Sequence, residues 1–222
     1  MTDRSKTLPR LDRSVKRAKN VIISTTRERI LNTAAELWHA RSYDGVGVAE
    51  VCAEAGVQKG SFFHFFRSKE DLLLAVLDLR REQMREHMLE PAFRADVPPL
   101  QRIQRYFDLM GQHADAAIAA GGMRGCPFGN LASELATRSD AVRERVAAVF
   151  DETRATLRKT LREAAKAGDL PMDSDVSAMA AALVTYMQGL AVIGKTYNDP
   201  RLLRRLGAQA FSLLGLRGAP TK

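Results

Sequence analysis

The sequence predicts an all-α protein of about nine helices, with a three-helix amino-terminal domain followed by a larger helical domain. Three observations lead there. Apolar side chains return at three- and four-residue spacing through most of the chain, as in Ile103, Tyr106, Phe107, Met110, Ala114 and Ile118. No stretch alternates apolar and polar residues over the length of a strand, and no glycine-rich phosphate loop breaks the pattern. The segment from Val48 to Asp71 reads as a short helix, a tight turn at Gly56, a second short helix and a new helix start, which together make a helix-turn-helix.

Charge divides the chain more sharply than composition does. The 222 residues are 45% hydrophobic, enough for one or two domains whose core hides about two-thirds of the unfolded surface. In the first twenty residues Arg4, Lys6, Arg10, Arg13, Lys16, Arg17 and Lys19 face only Asp3 and Asp12, so much of the net charge of +8 gathers there. Residues 21–70 carry equal numbers of basic and acidic groups. Residues 1–23 are therefore expected to form a flexible basic arm, able to enter a minor groove or lie along phosphates and release counterions. Residues 24–70 form the helix-turn-helix domain and residues 71–222 the second domain. The longest apolar runs fall short of the ~20 residues of a membrane span, and the start of the chain lacks the apolar core of a secretory signal. The expectation is a cytoplasmic protein with no membrane partner, and no structural disulfide between Cys52 and Cys126.

The first helix is expected to begin with Thr25 as N-cap and Glu28 as its capping-box partner, to bury Ile30, Leu31, Ala34, Ala35, Leu37 and Trp38, and to stop at Tyr43-Asp44-Gly45. In the next helix Val48, Val51 and Cys52 share one face. Cys52 supplies a small side chain where two helices cross, and Gly56 a residue tolerant of positive φ. Phe62 and Phe66, four apart, face the core of the following helix and leave Gln58, Lys59, Ser61, Phe63 and His64 outward. The major groove of B-DNA admits one α-helix and shows each base pair a distinct donor and acceptor pattern. Gln58 suits an adenine edge, Lys59 a guanine edge or phosphate, and Ser61 and His64 either kind of acceptor. Ser68 caps the fourth helix. Lys69 then sits at its open end, where free N–H groups and an ammonium both favour phosphate.

The residues from Thr26 to Trp38, and from Gly56 through Lys69 to Leu73, resemble the amino-terminal domain of the tetracycline-repressor family over roughly residues 25–75. That resemblance implies three DNA-binding helices, then a variable helical domain that binds an inducer and makes the homodimer. It also implies double-stranded operator DNA and a small-molecule inducer as partners. Family members commonly carry tyrosine where this chain has Phe63, so a phosphate-bonding hydroxyl is absent here.

Beyond residue 75, breaks at Glu90-Pro91, Val97-Pro98-Pro99, Gly121-Gly122, Gly168 with Pro171, and Asp199-Pro200 leave room for five further helices. The last two, about 174–197 and 200–214, show broad apolar faces: Met179, Leu183, Tyr186 and Leu190, then Leu202, Leu203, Leu206, Phe211 and Leu214. That is more than a monomer edge hides. By resemblance the pair forms a four-helix dimer interface, and a two-fold dimer implies a near-palindromic operator.

Pro127 suits a first helical position and places Cys126 at the N-cap, where a thiolate is favoured and Arg124 adds positive charge. The surrounding segment is similar to the branch of the family containing the repressor of N-ethylmaleimide reductase. Similarity to that branch implies a cysteine that senses electrophiles and oxidants, with Lys195 as its partner lysine. The residues after the cysteine, Pro127-Phe128-Gly129-Asn130, depart from that repressor. A non-covalent inducer pocket is the competing reading, with Phe107, Met110, His113, Phe150, Met179, Tyr186 and Met187 as candidate lining. A cysteine-dependent enzyme pairing Cys126 with His113 lacks any recognisable oxyanion hole or orienting third residue. Histidines 39, 64, 87 and 113 and the cysteines show no metal-ligand spacing, and no cofactor is expected.

Overall fold

A computed structural model describes residues 13–213 and 215, with side chains described for 25–212 and 215, and the described residues form helices and turns without strands. Residues 1–12 of the expected basic arm lie outside the described residues. Helix α1 (Arg13–Ala40) is longer than expected. Thr25 therefore lies inside α1 and is not its N-cap. No glycine or proline occurs between Arg13 and Ala40, so nothing in the local sequence stops the helix at the capping-box pair.

Helices α2 (Val48–Glu54) and α3 (Lys59–Phe65) form the helix-turn-helix, with Gly56 at φ +63° between them. Val51, Cys52 and Phe62 are buried, and Phe66 closes the motif at 2% exposure. The indole of Trp38 donates to the Val46 carbonyl at 3.3 Å, fixing the α1–α2 turn from inside. Helix α4 (Lys69–Met84) starts at Ser68, whose hydroxyl accepts from the Asp71 N–H at 3.0 Å.

The break expected at Glu90-Pro91 does not occur there. Helix α4 passes into a π-helical turn, Arg85–Leu89, and then into α5 (Glu90–Ala92), with the Glu90 N–H donating to the Arg85 carbonyl. Proline inside a helix lacks a donor and crowds a carbonyl four residues back. The wider π turn changes the hydrogen-bonding register just before Pro91.

The remaining helices follow their punctuation. Helix α6 (Pro99–Ala119), α7 (Pro127–Leu135) and α10 (Pro200–Ala208) each begin on proline, where a missing N–H costs nothing. Ser139 and Asp175 cap α8 (Asp140–Ala167) and α9 (Val176–Tyr197), and a short α11 (Ala210–Leu213) ends the described chain. Among the described residues, taking the α4–α5 rod and the α10–α11 pair as one helix each gives the expected nine.

Two apolar cores result, and the expected boundary at residue 70 does not separate them. The first joins α1–α4 to Phe128, Leu131 and Leu135 of α7 and to Val142, Val146 and Val149 of α8. The second gathers α6, the later half of α8, α9 and α10 around Ile103, Leu157, Leu161 and Leu183. Most of the apolar side chains expected to make a dimer face are inside the protomer. Leu183, Leu190, Leu203 and Phe211 are buried, with Met179, Tyr186 and Leu206 packed against them. Leu214 lies outside the described residues.

The opposite face of α9 is the exposed one, and it includes Val192 at 62%. By length and composition α9 is apolar enough to cross a membrane, which corrects the expectation that every apolar run is too short. The expectation missed it because small and weakly polar residues, Ala178, Thr185, Gly189 and Thr196 among them, dilute the leucines.

Replacing Phe62, fully buried where α3 packs against α1 and α2, should cost about 3–5 kcal/mol as Phe62→Ala. Urea unfolding followed by circular dichroism measures it, and a loss below ~1 kcal/mol would contradict this packing.

Candidate functional site

Helix α3 is divided cleanly between core and solvent. Phe62 is buried, while Gln58, Lys59, Phe63 and His64 are exposed and Ser61 is half-buried. Phe63, 53% exposed, stands edge-on to Phe62 at 5.1 Å, so its ring rests on the core while its far edge faces out. Four of the five expected groove-facing residues thus share one helix of two turns, and the fifth, Gln58, is its N-cap. Arg27, which sequence reasoning did not single out, lies with its guanidinium 5.3 Å from the Phe66 ring centroid and adds a cation beside the end of α3.

Lys69 is placed differently from a free cation at a helix start. Its ammonium donates to the Tyr43 carbonyl and lies 4.0 Å from the Tyr43 ring centroid. Burial pulls its pKa down, with Asp44 and Glu134 opposing. Lys69 ties α4 to the α1–α2 turn.

The helix-turn-helix is held against the second domain by α7 and the loop before it. Glu134 accepts from the Tyr43 and Asp44 N–H groups at 3.0 and 2.7 Å, so one carboxylate closes the turn that ends α1. Arg138 pairs with Asp44, Ser139 with Glu70, Arg145 with Asp78, and Arg81 with Glu152. His39 near the end of α1 bonds the Gly125 carbonyl at 3.0 Å. Glu36 is held by Arg80 at 2.6 Å and Arg124 at 3.2 Å.

Beside this seam a cavity of about 540 Å³ opens between α1, α4, α6 and the loop before α7. Of the expected lining, Met110 and His113 face it. Phe107 and Met187 are buried in the second core, Met179 packs against that core, and Tyr186 donates from its hydroxyl to the Leu206 carbonyl at 2.7 Å. Phe150 packs against the first core. The cavity instead adds Glu36, Arg80, Met84, His87, Met88 and Tyr106, residues of α1, α4, the π turn and α6 that only the fold brings together.

Cys126 also lines this cavity, and as expected it is the N-cap of α7, accepting from the Gly129 N–H at 3.5 Å. The expected drop in its pKa does not follow. Burial pushes the thiol up, and the opposing bonds from Gly129, Phe128 and Gln188 do not reverse it. Arg124 turns its guanidinium to Glu36, and Lys195 lays its methylene chain over Gly125, with Cδ 3.3 Å from where a Cβ would sit.

Residues 99–210 match the family model described as tetracyclin repressor-like, C-terminal domain, and residues 30–76 match that of bacterial regulatory proteins, tetR family. The chain belongs to the tetracycline-repressor family. Among its relatives, the transcriptional regulator AcuR of Cereibacter sphaeroides is 30% identical over 80% of each chain. The transcriptional repressor NemR of Escherichia coli is 30% identical over 53% of this chain and 58% of its own. A TetR regulator from Chloroflexus aurantiacus, solved in the crystal, superposes with a TM-score of 0.78 at 25% identity, covering 88% of this chain and 97% of that one. This member of the family is accordingly a DNA-binding transcriptional regulator.

In it, His39 carries a pH dependence of the seam. Burial lowers the imidazole pKa below its usual 6.5; the Gly125 carbonyl and Glu36 raise it, and Arg80 and Arg124 lower it further. The folded protein therefore holds His39 neutral, and the stability this carries is complete above pH ~6.5 and is lost as pH falls toward the lower folded value. Urea midpoints should fall as pH drops below about 6.5, and less steeply in His39→Gln; identical profiles for the two proteins would contradict the assignment.

Proposed function

We propose that this regulator is a homodimeric repressor that reads a near-palindromic operator through α3 and releases it when a small molecule fills the cavity beside the α1–α7 seam. The outward set Gln58, Lys59, Ser61, Phe63 and His64 on a helix anchored by Phe62 carries the reading. In this reading Gln58 takes a base edge, Lys59 an edge or phosphate, and Phe63 a van der Waals contact where a hydroxyl would have bonded phosphate. Lys69 can still offer its remaining donors to the backbone while it holds Tyr43.

The dimer draws support from the exposed face of α9. Ala178, Ala182, Thr185, Gly189, Val192 and Thr196 are all exposed and recur at alternating four- and three-residue steps, the spacing of a helix seam. A Cβ at Gly189 would meet nothing within 4 Å among the described residues, so none of their contacts accounts for a mid-helix glycine. Close approach of a second copy does.

A release mechanism needs a ligand with different affinities for the DNA-bound and free forms. The cavity touches α1, α4 and the loop before α7, so its filling bears on two of the connections between the domains. Covalent sensing through Cys126 draws less support, because burial raises the thiol that would have to ionise.

Gel shifts against the DNA flanking its own gene test the reading. Retention should be sequence-specific and salt-dependent, Lys59→Ala should weaken it across sequences, and Gln58→Ala should alter base preference by about 1–3 kcal/mol at one position. Salt-insensitive or sequence-blind retention would overturn it. For the dimer, Gly189→Leu should leave the helical content intact and shift sedimentation from dimer to monomer; an unchanged dimer would place the interface elsewhere.

A further inference from the structure

Glu36 belongs to α1, whereas both groups that hold its carboxylate lie beyond residue 75. Arg80 Nη2 stands 2.6 Å from one carboxylate oxygen and Arg124 Nη1 3.2 Å from the other, so a single carboxylate ties α1 to α4 and to the loop before α7. All three side chains line the 540 Å³ cavity. Among the described residues Glu36 is the one acidic side chain in that lining, opposite two guanidiniums.

The two sides of the clamp are not equally fixed. The Arg80 side chain is 18% exposed and also donates through Nη1 to Gln83 at 3.0 Å, while its buried Nε has no hydrogen-bond partner among the described residues. The Glu36 side chain is 62% exposed. Burial alone would raise the Glu36 pKa, but Arg80 and Arg124 outweigh it and hold the group ionised. The arginine is thus the built partner and the carboxylate the one that can swing into water at little cost. Behind the clamp, Met84, Met88, Tyr106, Met110 and Leu203 make an apolar wall.

We propose that the Glu36–Arg80–Arg124 clamp is an exchange site for an apolar monocarboxylate. The ligand's acid group takes the two guanidiniums from Glu36, its apolar body lies against the methionines, and α1 loses its tie to the effector domain. A carboxylate is the chemistry because the clamp already holds one in a two-oxygen grip. This deepens the effector response proposed above and rests on it for its regulatory consequence, but not for the binding step.

Calorimetric titration of the whole protein with benzoate and hexanoate, against benzamide and hexanamide, tests the site. The acids should bind about tenfold or more tighter than their amides, since only the acids make charge-assisted bonds to both arginines. Glu36→Gln removes the competing charge and should tighten acid binding several-fold while leaving the amides unchanged. Arg124→Gln, a partly exposed position, should erase the preference for acid. Acids that bind no better than amides, no acid binding at all, or acid affinity unaltered in Glu36→Gln would each overturn the proposal. Gel shifts run in parallel separate this from the regulator reading. Operator released by the amides and not by the acids contradicts the clamp alone, whereas tight acid binding that leaves operator retention unchanged supports the clamp and contradicts effector control.

Discussion

The docking of α7 at the end of α1 and the turn that follows it is the constraint on which the rest of the structure depends. Phe128, Leu131 and Leu135 enter the same core as Ile30, Trp38 and Leu73, so the helix-turn-helix closes its apolar interior with residues from the second domain. Each such side chain contributes about 1.5–3 kcal/mol on burial. The two N–H bonds to Glu134 add roughly 1.5–3 kcal/mol each as bonds to a charged group, less where water reaches them. The exposed ion pairs along the same line add little individually and serve mainly to fix register. Apolar burial holds the domains together, and Glu134 sets where they meet.

That arrangement gives the family's ligand-to-DNA problem a physical form in this member. The α4–α5 rod is one link, because it starts at the turn bound by Lys69 and runs past the cavity wall. The loop before α7 is a second and shorter one, since Gly125 and Arg124 touch α1 directly while Met123 and Cys126 face the cavity. A ligand need not move α4 along its length to affect α3. Loosening the Arg124 and Gly125 contacts changes what the end of α1 rests on, and α1 packs against α2 and α3.

Much of this was legible in the sequence where local chemistry decides. Gly56, Phe62, Phe66 and Ser68 took their expected places because a positive φ, an i,i+4 pair and a cap are local requirements. The misreadings have nonlocal causes. Thr25 with Glu28 satisfies the spacing of a cap, but no glycine or proline before it interrupts α1. Pro91 was read as a stop because a π turn leaves no simple signature. The leucines of α9 and α10 were assigned to a dimer face, although periodicity shows that a face is apolar and not what covers it; α6 and α8 cover it. Cys126 was correctly placed at an N-cap, and its pKa was misjudged because burial by distant segments, absent from any local pattern, outweighs the cap. The cavity's Glu36, Arg80 and His87 were missed for the same reason.

Trp38, the sole tryptophan, lies in the helix-turn-helix half of the shared core, and it provides the most direct test of a core common to both domains. Urea unfolding of the whole protein should give one midpoint, the same by Trp38 fluorescence and by far-ultraviolet circular dichroism, and Leu135→Ala should lower both together. A Trp38 transition that precedes the loss of helix and ignores Leu135→Ala would show that the DNA-binding helices fold independently of α7.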